Sequence, residues 1–188
     1  MRKIVVTEFI SLDGVVEDPG GAEGFKHGGW SFKFNDPAGM KFKLSETLES
    51  EALLLGRVTY EGFAEAWPER TDEVGFADKM NAMPKYVVSS TLKRLTWNNS
   101  TLVGLDQLAE LKAQDGGDIL VAGSISLVNA LLEADLIDEL RLMVHPVVLG
   151  SGKRLFTEHQ DAHAFKLAEA RALDSGSLIL RYALTEQL

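Results

Sequence analysis

The chain has no cysteine. Disulfides, thiolate metal sites and cysteine nucleophiles are therefore excluded at once. Positive charge is scarce too: 19 Lys and Arg stand against 28 Asp and Glu, giving a net charge of −9 and a pI near 4.9. No nucleic-acid partner is expected, because phosphate backbones are bound through clustered Lys and Arg. A phosphorylated small molecule needs one or two local cations and stays open. No apolar run approaches the roughly 20 residues that cross a bilayer, so no membrane partner is expected. Thr7 and Glu8 interrupt the apolar stretch a signal peptide would need, which makes the cytoplasm the expected location.

What is there suits a single globular domain. The 188 residues are 45% hydrophobic and 25% charged, enough to bury a substantial core. The organising stretch runs from Asp118 to Leu132. Ile119 to Ala122 form an apolar run of the kind a doubly buried strand needs, and Gly123 breaks it. Ser124 stands at the N-cap position of a helix in which Ile125, Val128, Leu131 and Leu132 recur at helical spacing. A strand–glycine–helix junction aims free N–H groups and a positive dipole end at an anion. The same pattern also serves as an ordinary connection that binds nothing.

A second such junction lies earlier. Ala52 to Leu55 read as a buried strand ended by Gly56, and Arg57-Val58-Thr59 open a helix carrying Tyr60, Phe63 and Trp67 until Pro68 stops it. Arg and Thr at a helix mouth suit a phosphate, the one as a fork of donors and the other as a hydroxyl. Before it, Lys3 to Leu12 read as a central strand ended by Asp13-Gly14. A Gly-rich passage from Asp18 to Trp30 is either a functional loop or a surface excursion. Asp36-Pro37 starts a helix to about Glu49, with Met40, Leu44 and Leu48 as its apolar stripe.

Val74 to Met83 read as a short helix, and Tyr86 to Val88 as a strand with Ser89 and Ser90 at its carboxyl end, where ligands of open α/β sheets collect. Asp106 is an expected N-cap. Later the pattern changes. Glu139 to Leu149 form a strand interrupted by Pro146, and Phe165 to Leu173 and Ser177 to Leu184 form a hairpin across Asp174-Ser175-Gly176. The fold class is therefore α/β, a mixed sheet whose first part is parallel and flanked by helices and whose C-terminal hairpin is antiparallel.

Other motifs fail. Gly150-Ser-Gly-Lys153 lacks the leading Gly and trailing Ser or Thr of a P-loop. His159 and His163 have helical zinc spacing but no third ligand, so no metal is expected and both are read as surface histidines.

Leu53-Leu-Leu-Gly-Arg-x-Thr59, Val87-Val-Ser-Ser90 and Ile119-Leu-Val-Ala-Gly123 together resemble the dihydrofolate reductase fold. Ser11-Leu-Asp-Gly14 and Pro146-Val-Val-Leu-Gly-Ser-Gly-Lys-Arg-Leu-Phe156 are similar to the branch holding the reductase domain of the bacterial riboflavin-biosynthesis deaminase/reductase and its stand-alone relatives. The likeness covers nearly the whole chain. It implies an NADPH site: Gly56, Arg57, Val58 and Thr59 at one helix mouth, Ser89 and Ser90 by the adenosine 2′-phosphate, and Gly123, Ser124 and Ile125 along the pyrophosphate and nicotinamide side. It further implies Asp13 as the catalytic residue at the nicotinamide edge, where it would otherwise be a turn residue before Gly14; Trp30, among the loop glycines, is read as a wall of the substrate pocket or else as a cover for the core.

Two positions depart from the family pattern. Dihydrofolate reductases carry Gly-Gly where this chain has Gly123-Ser124, and riboflavin reductases carry an acid where it has Ala122. The implied activity is hydride transfer from NADPH to a small heterocyclic or phosphoribosyl-type substrate. The alternatives are an NADPH-binding dimeric protein without turnover, as a sensor or scaffold, and a dihydrofolate reductase-type activity. The late strands expose an apolar face that predicts a homodimer.

Overall fold

A computed structural model describes residues 1–157 and 161–187. The strands are β1 (Ile4–Ser11), β2 (Ala52–Gly56), β3 (Lys85–Val88), β4 (Ser100–Val103), β5 (Ile119–Ala122), β6 (Glu139–His145), β7 (His163–Ala172) and β8 (Leu178–Gln187). The helices are α1 (Pro37–Glu49), α2 (Arg57–Ala66), α3 (Phe76–Ala82), α4 (Leu108–Ala113) and α5 (Ile125–Glu133). The strands form one eight-stranded sheet in the order β4-β3-β2-β5-β1-β6-β8-β7. Every pair from β4 to β6 is parallel, while β8 runs antiparallel to β6 and β7. The mixed sheet expected from the strand–helix alternation and the late hairpin is the one that forms.

Alternation along β1 assigns the two faces. Ile4, Val6 and Ile10 join Leu54 and Val121 against Leu108 and Leu111 of α4 and Leu127, Val128 and Leu131 of α5. Val5 points the other way, into a core with Leu53, Leu55, Val87, Tyr60 and Trp97. Tyr60 is fixed there because its hydroxyl accepts the N–H groups of Thr96 and Trp97, at 3.0 and 2.9 Å. Strands covered on both sides must be apolar on both sides, which is why β2 is buried throughout. Among the described residues, no helix is long and apolar enough to cross a membrane.

Three expectations need correction. On α1, Met40 and Leu48 are exposed, and the inward face instead holds Gly39, Phe42 and Glu46. Gly39 lets the helix sit close to Leu173 and Met143, and Glu46 faces polar groups on the sheet, so no apolar stripe is needed. Asp106 caps nothing; it lies in a 3-10 turn, Leu105–Gln107, and the Gln107 side chain accepts the Gly104 N–H at 2.7 Å. β6 stops at His145, before Pro146, because proline has no N–H for a ladder.

The Gly-rich passage is built, not loose. Asp18 is buried; its carboxylate accepts the N–H groups of Glu23 and Phe25, and its carbonyl those of Gly21 and Gly29.

Candidate functional site

β2 and β5 are neighbours in register from Ala52↔Ile119 to Leu54↔Val121, so the helix mouths that follow them open side by side. They touch. A Cβ placed on Gly56 would overlap the Ser124 hydroxyl, and one on Gly123 would lie 3.0 Å from Thr59 Oγ1. Gly123 and Ser124 both have positive φ, 75° and 70°, and the peptide joining them is trans. Ser124 occupies the cap position of α5 without a capping hydrogen bond. Arg57 and Val58 are exposed at the mouth of α2, and Arg57 folds back onto Glu61 at 2.9 Å. Gly56, Arg57, Val58, Thr59, Gly123, Ser124 and Ile125 are thus brought together at the carboxyl ends of two adjacent parallel strands.

Ser89 and Ser90 follow β3, the next strand outward. With Val88, Leu102, Val103, Gly104 and Leu105 they line a cavity of about 530 Å³. Ser89 Oγ accepts the N–H groups of Thr91 and Leu92, which fixes the turn at the cavity floor. Asp106 packs against Gly104 at the rim, a carboxylate close to the adenosine end implied by the family likeness.

At the inner end the sheet has a notch. β1 pairs with β5 only as far as Thr7↔Ala122, but with β6 as far as Ser11↔His145. From Glu8 onward, β1 has no strand partner on the β5 side. Glu8 is 6% exposed at the start of this notch, and burial pushes its carboxyl up to about 8, although Lys43 and the Gly123 amide favour the charged form. On the opposite face, Thr7 Oγ1 donates to Glu46 at 2.7 Å, Lys43 pairs with Glu46 at 2.6 Å, and Glu139 joins Arg141 and Arg181 at 2.9 and 2.7 Å.

Asp13 lies at the turn that ends β1 and ties that turn to the segment after β6. Its carboxylate accepts Ser11 Oγ–H at 2.7 Å and the N–H groups of Leu149 and Gly150 at 3.1 and 2.9 Å. These bonds, the one from Ser11 foremost, hold its pKa down to about 2. So held, the ionised carboxylate clamps the Leu149–Gly150 segment to the end of β1. Trp30 is a cover for the core: it is 2% exposed, donates its indole N–H to Glu17 O at 2.8 Å, and meets buried His145 edge-to-face. Asp36 is a helix cap, accepting from Ala38, Gly39 and Ser175. His163 is not a surface residue, with its side chain 4% exposed and Nδ1 3.6 Å from Asp135; His159 lies outside the described residues. Among the described residues, no cluster of three His, Cys, Asp or Glu could hold a metal.

A family model, the RibD C-terminal domain, matches residues 2–179. The chain belongs to that family. It is 28% identical over 188 residues to an uncharacterized Bacillus subtilis protein, YyaP, covering 96% of this chain and 94% of that one. A 50-residue segment is 50% identical to a second B. subtilis protein, YwjB. A protein assigned to riboflavin biosynthesis in Shewanella sp. PV-4 superposes with a TM-score of 0.74 at 20% identity, over 98% of this chain and 99% of that one. Acinetobacter baumannii RibD superposes with a TM-score of 0.64 at 19% identity, and this chain spans 59% of it. The fold is the dihydrofolate reductase-like fold of RibD C-terminal domains.

Glu8 beside the notch, and Lys43 and Glu46 on the opposite face of β1, are polar groups that pattern reading passed over. The signal for Glu8 was present, as a carboxylate inside an otherwise apolar strand run. The groups that act on it, Lys43, Glu46, Glu23 and the Gly123 amide, come from elements far apart in sequence.

Proposed function

We propose that the protein is a cytoplasmic NADPH-dependent reductase acting on a small heterocyclic or phosphoribosyl-type substrate. The supporting observation is the pair of glycine-opened helix mouths, side by side beneath an exposed Arg57, in a member of the RibD C-terminal domain family. The bound cofactor would supply the hydride. Gly56 and Gly123 leave room for a ligand backbone to approach, and the Thr59 and Ser124 hydroxyls stand beside them. Arg57 releases Glu61 to meet a phosphate; an exposed i,i+4 pair is worth little, so the exchange is easy. Ser89 and Ser90 line the adenosine end, where the Asp106 carboxylate beside Gly104 opposes a 2′-phosphate.

Calorimetric titration tests this reading. NADPH should bind, and Arg57→Ala should weaken it by about 1.5–3 kcal/mol, the worth of a charge-assisted hydrogen bond. NADH should bind less tightly than NADPH. Equal affinities for wild type and Arg57→Ala would remove that helix mouth from the site. A screen of small metabolites for NADPH oxidation then separates a reductase from a binding protein without turnover.

A further inference from the structure

Glu8 has a buried carboxyl oxygen, Oε1, with no hydrogen-bond partner. Its neighbours on the same face of β1, Val6 and Ile10, are core residues, and an apolar side chain would be the stabilising choice here. No ion pair is formed by Glu8 among the described residues. The charged groups that act on it are Lys43 and Glu46 from α1 and Glu23 from the Gly-rich loop, while the Gly123 amide faces it from the turn after β5. Burial outweighs these and keeps the carboxyl protonated at neutral pH. A neutral carboxyl presents one O–H donor and one acceptor oxygen. It stands where β5 leaves β1, beside the glycine turn that opens α5.

Position identifies the ligand group. From β3, where Ser89 and Ser90 line their cavity, to β1 is three strand spacings, about 14 Å. A dinucleotide laid across the carboxyl ends of the sheet, with its phosphates at the α2 and α5 mouths, brings its nicotinamide half to the notch. The carboxamide there offers an acceptor oxygen and N–H donors, the complement of a protonated carboxyl. We propose that Glu8 binds the nicotinamide carboxamide through its free oxygen, and so orients the ring in the notch between β1 and β5. This rests on the reductase reading; Glu8 is assigned a positioning role.

Binding titrations test it without a substrate. Glu8→Ala should weaken NADPH at least tenfold and leave adenosine 2′,5′-bisphosphate, which lacks the nicotinamide half, unchanged. Glu8→Gln keeps a donor and an acceptor, and should stay within about threefold of wild type at pH 7. Wild-type affinity for NADPH should fall above pH 8, toward tenfold per pH unit, while Glu8→Gln stays flat. Wild type should prefer NADP⁺ at least tenfold over nicotinic acid adenine dinucleotide phosphate, whose carboxylate replaces the carboxamide, and Glu8→Ala should lose that preference. Circular dichroism checks that each variant is folded; should Glu8→Ala collapse, Glu8→Gln and the pH series decide the matter. If variants and wild type bind every ligand alike at every pH, the inference is overturned alone. If wild type binds neither NADPH nor the bisphosphate, the reductase reading falls and takes the inference with it.

Discussion

Glu8 and Asp13 are five positions apart and have opposite protonation. Asp13 is surrounded by donors and holds its charge, whereas Glu8 is surrounded by core and loses it. For Glu8 the folded-state pKa, about 8, lies above the ordinary 4.5, so the folded chain binds the extra proton between those values. Stability from this group is fullest below about pH 4.5 and declines as pH rises toward 8, by up to about 1.4 kcal/mol per unit. Near pH 7 the penalty is on the order of 3 kcal/mol. Urea unfolding of wild type and Glu8→Gln from pH 5 to 8 should therefore give a steeper decline for wild type. Parallel declines would mean that Glu8 is ionised in the folded protein.

At the scale of elements, the contact between the two helix mouths decides what each glycine can become. Gly56→Ala drives a methyl group into Ser124 and should cost about 2–3 kcal/mol, as overpacking does. Ser124→Gly removes the obstructing side chain and relieves a non-glycine residue at φ 70°, so alone it should stabilise by about 1 kcal/mol. The double variant should be clearly more stable than Gly56→Ala; simple additivity in thermal unfolding would deny the contact. Each junction was legible in the sequence because strand, glycine and helix are neighbours along the chain. Their apposition was not, since it depends on β5 choosing β2 as its partner. The stripe of α1 through Met40 was misread for a related reason: side-chain direction on a helix follows from what the sheet places beneath it. The Gly-rich loop is ordered by Asp18, a residue that composition treats as one more turn former.

Across the whole molecule, one sheet face remains thinly covered. Register puts Leu140 opposite Tyr182, Leu142 opposite Leu180 and Val144 opposite Leu178, in apolar rows on the α5 side of the sheet. Leu167 and Leu178 are exposed there, and a cavity of about 340 Å³ opens between Leu132, Leu142, Phe165 and Tyr182. The opposite face of β6 and β8 carries Arg141 and Arg181, tied by Glu139. A second copy presenting the same apolar rows is the expected cover, because closed two-fold assemblies satisfy such a face at no new sequence requirement. Light scattering at micromolar concentration should give twice the 20.6 kDa of one chain; a single-chain mass would show the face is tolerated bare.

The sheet order also sets a timetable. β1 is made early, yet its two neighbours, β5 and β6, begin only at Ile119 and Glu139. On a ribosome its apolar run must wait, unpaired, while most of the chain is synthesised, and no local hairpin can shelter it. The ionisable carboxylate of Glu8 then interrupts that run while the strand is still in water, where its charge costs nothing. A charge so placed is of the kind that guards a sticky segment before it folds, whatever it costs the finished core.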